Sequence, residues 1–416
     1  MKFVAIRKMQ VLLDLEGTQR ELGTLAWSPS ERQAYFEYAP SFIAAPLPVS
    51  PFRLPVRAGL SVAGPVPREF EGLHGLFNDS VPDGWGRLLL DRRLEKRGVK
   101  SADVSPIDRL TAVGGNGMGA LVFVPELPQN QRGQDDLDWF VEQVDRIQGE
   151  RNTAEIDALQ AAQGGSAGAR PKIMIGLDGR KQSFRLDYGL GMPSGFEPWL
   201  VKGRAIGDRD DIGAEEHAYA LMARAAGLEM AETCVLQTAR GHRLFATKRF
   251  DRRAGGRLHM HTASGLLNAS HREASLDYGA LHKLTAVLTR NSRDVARMFR
   301  HMTFNVLAHN RDDHAKNHAF LMGADGQWTL APAYDLTYSD GPAGEHSAAI
   351  AGEGRHPGRE HLLAVAKDAS IPERDALGII DEVRAAIANW PRCADEAGLG
   401  KARAAELDRK LNGPGM

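Results

Sequence analysis

One short polar segment of the sequence has the residue types and the spacing that phosphoryl transfer requires. In NRDDHAKN (residues 310–317), Asp312 directly follows Arg311 and stands five residues before Asn317. One turn of irregular chain lets such an aspartate accept a hydroxyl proton, while the asparagine amide oxygen turns back towards a magnesium ion. Asp312 is therefore the candidate general base, and Asn317 is a candidate metal ligand.

A second carboxylate follows at a position that suits the same metal ion. Asp335 lies in AYDL, 18 residues beyond Asn317 and after an apolar run, where protein kinases carry a metal-binding aspartate. A magnesium ion with phosphate oxygens around it needs only one or two carboxylates, with water completing the shell. The alternative is a solvated polar loop between two helices, and the position of Asp335 favours the metal site.

Zinc is a competing interpretation of the same segment. His314 and His318 are four residues apart, as in the zinc-binding helix of metalloproteases, but that motif needs a glutamate directly after the first histidine. Ala315 stands there instead, and the pair His259 and His261 has no acidic motif beside it. The sequence therefore disfavours zinc.

Upstream, a glycine-rich stretch could approach phosphate groups. Residues 164–172 read GGSAGARPK and precede an apolar run. Small residues let backbone amides come close to an anion, so Gly165, Ser166, Ala167 and Gly168 are candidate nucleotide-binding residues. The stretch is not a Walker A motif, and a plain linker would have a similar composition.

Two further segments suggest the rest of a nucleotide site. Lys202 ends the apolar run of PWLVK, where a strand would aim its ammonium group at the α- and β-phosphates, and the next predicted helix offers Glu215 and Glu216 as pairing carboxylates. The segment TKRFD (residues 247–251) closes another predicted strand and could be the hinge that contacts adenine. Its candidate nucleotide-binding residues are Lys248, Phe250 and Asp251, although Phe250 could equally be a core residue.

Hydrophobic patterning indicates the elements that must position these residues. It predicts a β-rich first part with one helix over Trp85–Arg97, which Pro82-Asp83-Gly84 opens and Gly98 follows. A polar, breaker-rich stretch marks a boundary near residue 130. Predicted strands and helices then follow in this order: strands at 184–189 and 198–204, a helix at 214–226, a strand at 243–251, and mostly helix from residue 277, with 327–339 as the one extended segment. We expect an α+β, two-lobed protein with three parts, 1–130, 131–250 and 251–416.

The composition is that of an ordinary globular protein. The chain has 416 residues, 43% hydrophobic and 25% charged, which excludes a disordered, collagen-like or coiled-coil protein. The 52 basic and 53 acidic side chains give a net charge of −1, so direct binding to bare nucleic acid or an anionic membrane is not expected. Cys234 and Cys393 are too few for a disulfide scaffold. No run resembles a signal peptide or a membrane span, and we expect a soluble cytoplasmic protein.

Taken together, the sequence resembles the HipA-type toxin kinases of bacterial type II toxin–antitoxin systems over nearly its whole length. The resemblance rests on seven segments: SVPDGWGR (80–87), VGGNGMGAL (113–121), GARPK (168–172), KRFD (248–251), FNVL (304–307), DDHAKN (312–317) and AYDL (333–336). It implies a bilobal protein-kinase-like fold with a β-rich N-terminal domain, an ATP-binding lobe and a helical catalytic lobe. ATP and Mg²⁺ are then the implied cofactors, with Asp312 as base, Asn317 and Asp335 as metal ligands, and Lys202 on the ATP phosphates.

The family resemblance also implies partners and regulation. Members phosphorylate proteins, aminoacyl-tRNA synthetases among them, and so stop translation. They are neutralised by a helix-turn-helix antitoxin of the HipB type, so DNA is contacted only through that partner. Some autophosphorylate a serine in the glycine loop; here Gly165 aligns with that serine, and Ser166, one position along, is the possible site. The segment after Phe250 (residues 252–267) lacks the acidic pair of many relatives, so the target protein is not implied.

Two other functions fit the same residues. A small-molecule phosphotransferase of kinase-like fold would use the same Asp-x-x-x-x-Asn loop. A pseudokinase that acts only as an antitoxin-bound corepressor is disfavoured, because the base and both metal positions are present.

Overall fold

The computed structural model describes residues 4–126, 136–149, 155–163, 168–187, 192–253 and 256–413. The predicted glycine-loop residues Gly165, Ser166 and Ala167 lie outside these ranges. Among the helices of the described ranges, none has the length and apolar character that a membrane crossing needs.

The first part of the chain is built on a five-stranded antiparallel sheet with the strand order β4-β3-β2-β1-β5. Residues of alternating burial, such as Met9, Val11 and Leu13 on the first strand, turn one face to the core. The strands are β1 Lys8–Leu15, β2 Thr18–Ser28, β3 Gln33–Tyr38, β4 Leu60–Val62 and β5 Leu121–Val124, and the helices are α1 Pro40–Ala44, α2 Gly75–Asn78, α3 Gly84–Glu95 and α4 Pro106–Val113. The helix predicted over Trp85–Arg97 is α3, which ends two residues earlier.

The second part is a small lobe in which helices cover an antiparallel sheet of order β7-β6-β8-β10-β9. Its elements are α5 Leu137–Gln148, α6 Ile156–Gln163, β6 Lys172–Asp178, β7 Phe184–Leu186, β8 Phe196–Lys202, α7 Ile212–Ala225, β9 Thr233–Gln237 and β10 Arg243–Lys248. The strand predicted to reach residue 251 ends at Lys248. Trp85 and Leu89 of α3 share the core of this lobe with Phe140, Ile173 and Trp199, so α3 packs on the second part of the chain.

The third part is mainly helical and has a short sheet beside the cleft. Its elements are β11 Arg252–Arg253, β12 Gly256–Arg257, β13 His259–Thr262, α8 Ala263–Leu267, β14 Leu276–Asp277, α9 Tyr278–Thr289, α10 Ser292–Leu307, β15 Ala319–Met322, β16 Trp328–Leu330, β17 Ala348–Ala349, α11 Arg359–Asp368, α12 Glu373–Ala388, α13 Trp390–Glu396 and α14 Lys401–Asn412. The prediction that only 327–339 is extended was wrong, because the buried run Ala319–Met322 pairs with β13 and β16. A four-residue apolar run has no periodicity that separates a strand from a helix.

The N-terminal sheet and the C-terminal helices share one continuous core. Val11 and Phe36 of the sheet belong to the same buried cluster as Leu281, Met298 and Ile380 of the helical part. The N-terminal part therefore lies directly on the lobe that carries the predicted catalytic loop.

Candidate active site

A cavity of about 370 Å³ lies where the three parts of the chain meet. Its lining includes Asp83 of the first part, Lys172 and Lys202 of the second, and Asn317 and Asp335 of the third. Neither Asp312 nor Asp251 is among the lining residues. The candidate residues that line the cavity are Gly168, Lys202, Lys248, Phe250, Asn317 and Asp335.

The predicted catalytic loop follows α10 and is held by its own hydrogen bonds. Asn310 is tied back to Asn305, backbone to backbone and amide to amide, both at 2.9 Å. Residues Ala315–Asn317 form a single 3₁₀ turn, and the Asn317 Nδ2 donates to the backbone oxygen of Asp312 at 2.7 Å. Since the amide nitrogen is used in this bond, the amide oxygen of Asn317 is the group suited to a metal ion.

The two adjacent aspartates of the loop lie in opposite environments. Asp313 is fully buried and accepts hydrogen bonds from the Tyr278 hydroxyl at 2.9 Å and the Ser347 amide at 2.8 Å, and it contacts the His346 ring. Asp312 is exposed. Partial desolvation raises the pKa of its carboxyl above the ordinary value, and the nearby Asp335 carboxylate adds to this effect. The carboxylate of Asp312 is thus accessible and can accept a proton, whereas the carboxylate of Asp313 holds the loop through its hydrogen bonds.

Asp335 is presented to the cleft by an unusual backbone conformation. Its φ is +57°, in the left-handed region that few non-glycine residues adopt. Its Oδ1 accepts a hydrogen bond from the Lys202 Nζ. The ammonium of Lys202, supported by Lys172 and Arg170, holds the pKa of Asp335 well below its usual range, so the carboxylate is charged.

Lys202 lies at the end of the central strand β8 and joins the two lobes. Its Nζ donates to Asp335 and, at 2.7 Å, to Oε2 of Glu216 on α7. Burial opposes the charge, but the two carboxylates outweigh it and raise the pKa of Lys202 above its ordinary value. Of the two predicted partners, Glu215 instead receives two hydrogen bonds from Arg403 on α14, at 2.7 and 3.1 Å.

Three cations in or beside the cleft were not assigned roles from the sequence. Arg170 donates to Glu216 at 2.9 Å and to Asp208 through two nitrogens. Lys172 is buried, which lowers the pKa of its ammonium to about 8. Lys316 forms an ion pair with Asp83. Arg170, Lys172 and Lys316 all lie in segments that the sequence analysis quoted, but their spacing alone does not indicate which of them enter the cleft.

The structure places the predicted hinge residues in two different environments. Lys248 and Phe250 line the cavity; Lys248 pairs with Glu197, and the ring of Phe250 lies 5.5 Å from that of Tyr334. Asp251 is not among the lining side chains. It is completely buried, where it accepts hydrogen bonds from Arg249, Arg252 and the Gly119 amide, and so it joins the hinge to the N-terminal part.

The oxygen donors of the cleft fit a hard divalent cation. Asp335 supplies a carboxylate and Asn317 an amide oxygen, the ligand types that magnesium prefers. Among the described residues, no group of three or more His, Cys, Asp and Glu side chains is arranged to hold a metal ion.

Comparisons with known proteins give two family matches. Residues 13–124 match the HipA N-terminal domain, and residues 164–390 match the HipA-like C-terminal domain. No curated protein matches the chain.

Two solved structures are also similar to this chain. HipA from the toxin–antitoxin system of Shewanella oneidensis MR-1, in complex with HipB and operator DNA, is 19% identical, with a TM-score of 0.71, over 97% of this chain and 95% of that one. This match confirms the predicted bilobal α+β fold. The Helicobacter pylori proinflammatory kinase CtkA is 13% identical over 52% of this chain and 86% of that one; its TM-score of 0.36 is too low to support an argument.

Proposed function

The chain belongs to the HipA family, and on this premise we propose that it is an ATP- and magnesium-dependent kinase that phosphorylates a serine or threonine hydroxyl of a target protein. One observation carries the proposal. Lys202 bonds Glu216 and Asp335 at once, in the cleft that Asn317 also lines. A lysine–glutamate pair beside a metal-binding aspartate is the arrangement that an active kinase cleft requires.

The proposal assigns a role to each candidate residue. Lys202 would bind the α- and β-phosphates, and Gly165, Ser166, Ala167 and Gly168 keep the nucleotide-binding role that the sequence predicts for them. Asn317 and Asp335 would hold the magnesium ion, which supplies charge neutralisation when bound. Lys248 and Phe250, which line the cavity, would contact the nucleotide. The predicted role of Asp251 on the nucleotide would require its buried carboxylate to rearrange.

The proposed reaction is an in-line transfer to a hydroxyl group. The hydroxyl oxygen of the target forms a bond to the γ-phosphorus of ATP, while the bond from that phosphorus to the bridging oxygen of the leaving ADP breaks. Asp312 accepts the hydroxyl proton. Its raised pKa makes it a better proton acceptor than an ordinary aspartate.

We further propose a toxin–antitoxin setting. The Shewanella relative is bound to HipB and operator DNA, which supports a HipB-like helix-turn-helix antitoxin as partner and DNA contact only through it. Inhibition of translation in the cytoplasm through an aminoacyl-tRNA synthetase target, and autophosphorylation at Ser166, are the family-based parts of the proposal.

The test is protein labelling in a bacterial lysate. Wild type and Asp312→Ala are each incubated with γ-labelled ATP and magnesium, and the proteins are separated on a gel. We expect a labelled band that the variant does not produce, and mass spectrometry then identifies the target. ATP consumption with no labelled protein would support a small-molecule phosphotransferase instead, and nucleotide binding that is independent of magnesium, without transfer, would support a corepressor.

A further inference from the structure

A turn of the N-terminal part enters the cleft and contacts both of the other parts. Asp83 directly precedes α3, and its two carboxylate oxygens have different partners. Oδ2 accepts from the Lys316 Nζ at 2.7 Å, and Oδ1 accepts from the backbone amide of Gly168, where the described chain resumes after the glycine-rich stretch. One carboxylate therefore joins the N-terminal part, the glycine loop and the catalytic loop.

The turn fits tightly against the glycine loop. Gly84 has a φ of +42°, and a Cβ on it would lie 2.6 Å from the Cα of Ala169 and from the oxygen of Gly168. The amide of Trp85 donates to that same oxygen at 3.1 Å. The Gly168 backbone is thus held through both its amide and its carbonyl group.

The segment is also anchored four residues earlier. Asp79 accepts hydrogen bonds from the amide and the hydroxyl of Thr262, both at 2.7 Å, and contacts His261 at 2.6 Å. His261 in turn contacts the Ser50 hydroxyl at 3.0 Å. This network is buried against the helical lobe, so the segment that carries Asp83 is held in place at Asp79.

The charges make the contact between Asp83 and Lys316 strong. The side chains are 20% and 8% exposed, respectively. Burial opposes the charge on Asp83, but the Lys316 ammonium, the Gly168 amide and Lys172 outweigh it and lower the pKa of the carboxyl. Among the described residues, Asp83 is the carboxylate that pairs with the Lys316 ammonium, so Asp83 determines where the Lys316 Nζ lies.

We propose that Asp83 is a positioning residue of the phosphoryl-transfer site, which holds Lys316 towards the γ-phosphate and fixes the exit of the glycine loop. This inference rests on the proposed function. Lys316 lies between Asp312 and Asn317 in the chain and lines the cavity, where a fixed cation stabilises the charge that spreads over the transferred phosphoryl oxygens. The N-terminal part thereby completes the active site rather than serving only as a docking module.

The experiment compares Asp83→Asn, Asp83→Glu, Lys316→Met and the double variant Asp83→Asn/Lys316→Met in the full chain. Calorimetry measures binding of ADP and of the β,γ-imido analogue of ATP, each with magnesium, and kinetics measure kcat and KM. We expect Asp83→Asn and Lys316→Met to weaken binding of the analogue about tenfold, the size of one charge-assisted hydrogen bond, with ADP affinity unchanged. The double variant should be no worse than Lys316→Met, and Asp83→Glu should recover part of the loss.

A matched control is Asp91→Asn, which removes a carboxylate of α3, the helix that Asp83 precedes. Asp91 binds Arg109 and Ser101 instead. The control substitution should lower thermal stability without changing the preference for the analogue over ADP. The proposal is overturned if Asp83→Asn keeps that preference within twofold of wild type, or if the effects of Asp83→Asn and Lys316→Met multiply. The binding measurement does not require turnover, so a wild type that binds the analogue but transfers no phosphate would refute the proposed function and leave the test of Asp83 intact.

Discussion

Lys202 and Asp335 meet in the cleft although 133 residues separate them in the chain, with the lysine Nζ donating to the aspartate Oδ1. The same lysine also holds Glu216 of α7. A strand of one lobe, a helix of that lobe and a loop of the other therefore converge on one ammonium group.

The first prediction separates the two adjacent aspartates of the catalytic loop. Asp312→Ala should lower kcat by roughly 10²–10⁴-fold, the usual contribution of a general base, and leave ATP affinity and the melting temperature near the wild-type values. Asp313→Ala should lower the melting temperature, because it leaves Tyr278 and the Ser347 amide without their buried acceptor. Kinetics and thermal unfolding on the purified variants provide the test, and an Asp312→Ala enzyme of normal rate would remove this residue from the mechanism.

The second prediction uses the neighbouring glutamates of α7 as a matched pair. Glu216→Gln removes a carboxylate that binds Lys202 and Arg170, so we expect kcat to fall by roughly tenfold or more. Glu215→Gln removes a carboxylate that binds Arg403 on α14, and it should lower thermal stability only. Equal effects of the two substitutions on kcat would argue against a catalytic role for the pair of Lys202 and Glu216.

The third prediction concerns the metal ligands. Asp335→Asn keeps the size of the side chain but removes its charge. Loss of an outer-shell partner lowers metal affinity at least about tenfold, and loss of a direct ligand should cost no less. Half-maximal activity should therefore need a magnesium concentration at least roughly tenfold higher. Asn317→Ala should shift the same titration in the same direction. The measurement is activity against magnesium concentration at saturating ATP, and an unchanged titration for both variants would exclude these residues as ligands.

Spacing in the sequence relates residues that are close in the chain, whereas direct contacts between distant segments are seen only in the structure. The bond from Asn317 to Asp312 spans five residues, so spacing alone indicated that the two residues act together. The pair of Asp83 and Lys316 spans 233 residues, and no pattern in either segment connects them. The place of Asp251 at the end of a predicted strand suggested a position in the cleft. The structure buries its carboxylate, which accepts a hydrogen bond from the amide of Gly119, 132 residues away in the chain.

The last prediction is a pH dependence that arises from Lys172. Burial lowers the pKa of its ammonium to about 8, so below pH 8 the group is charged and attracts phosphate, and above pH 8 it is neutral and does not. Nucleotide affinity should therefore fall as the pH rises through about 8. Because bound phosphate favours the charged form, binding near pH 8–9 should also take up protons. Calorimetry in buffers of different ionisation enthalpy measures this proton uptake. Lys172→Met should abolish both the fall in affinity and the uptake. A wild-type affinity that does not change between pH 7 and 9 would show that Lys172 does not face the nucleotide.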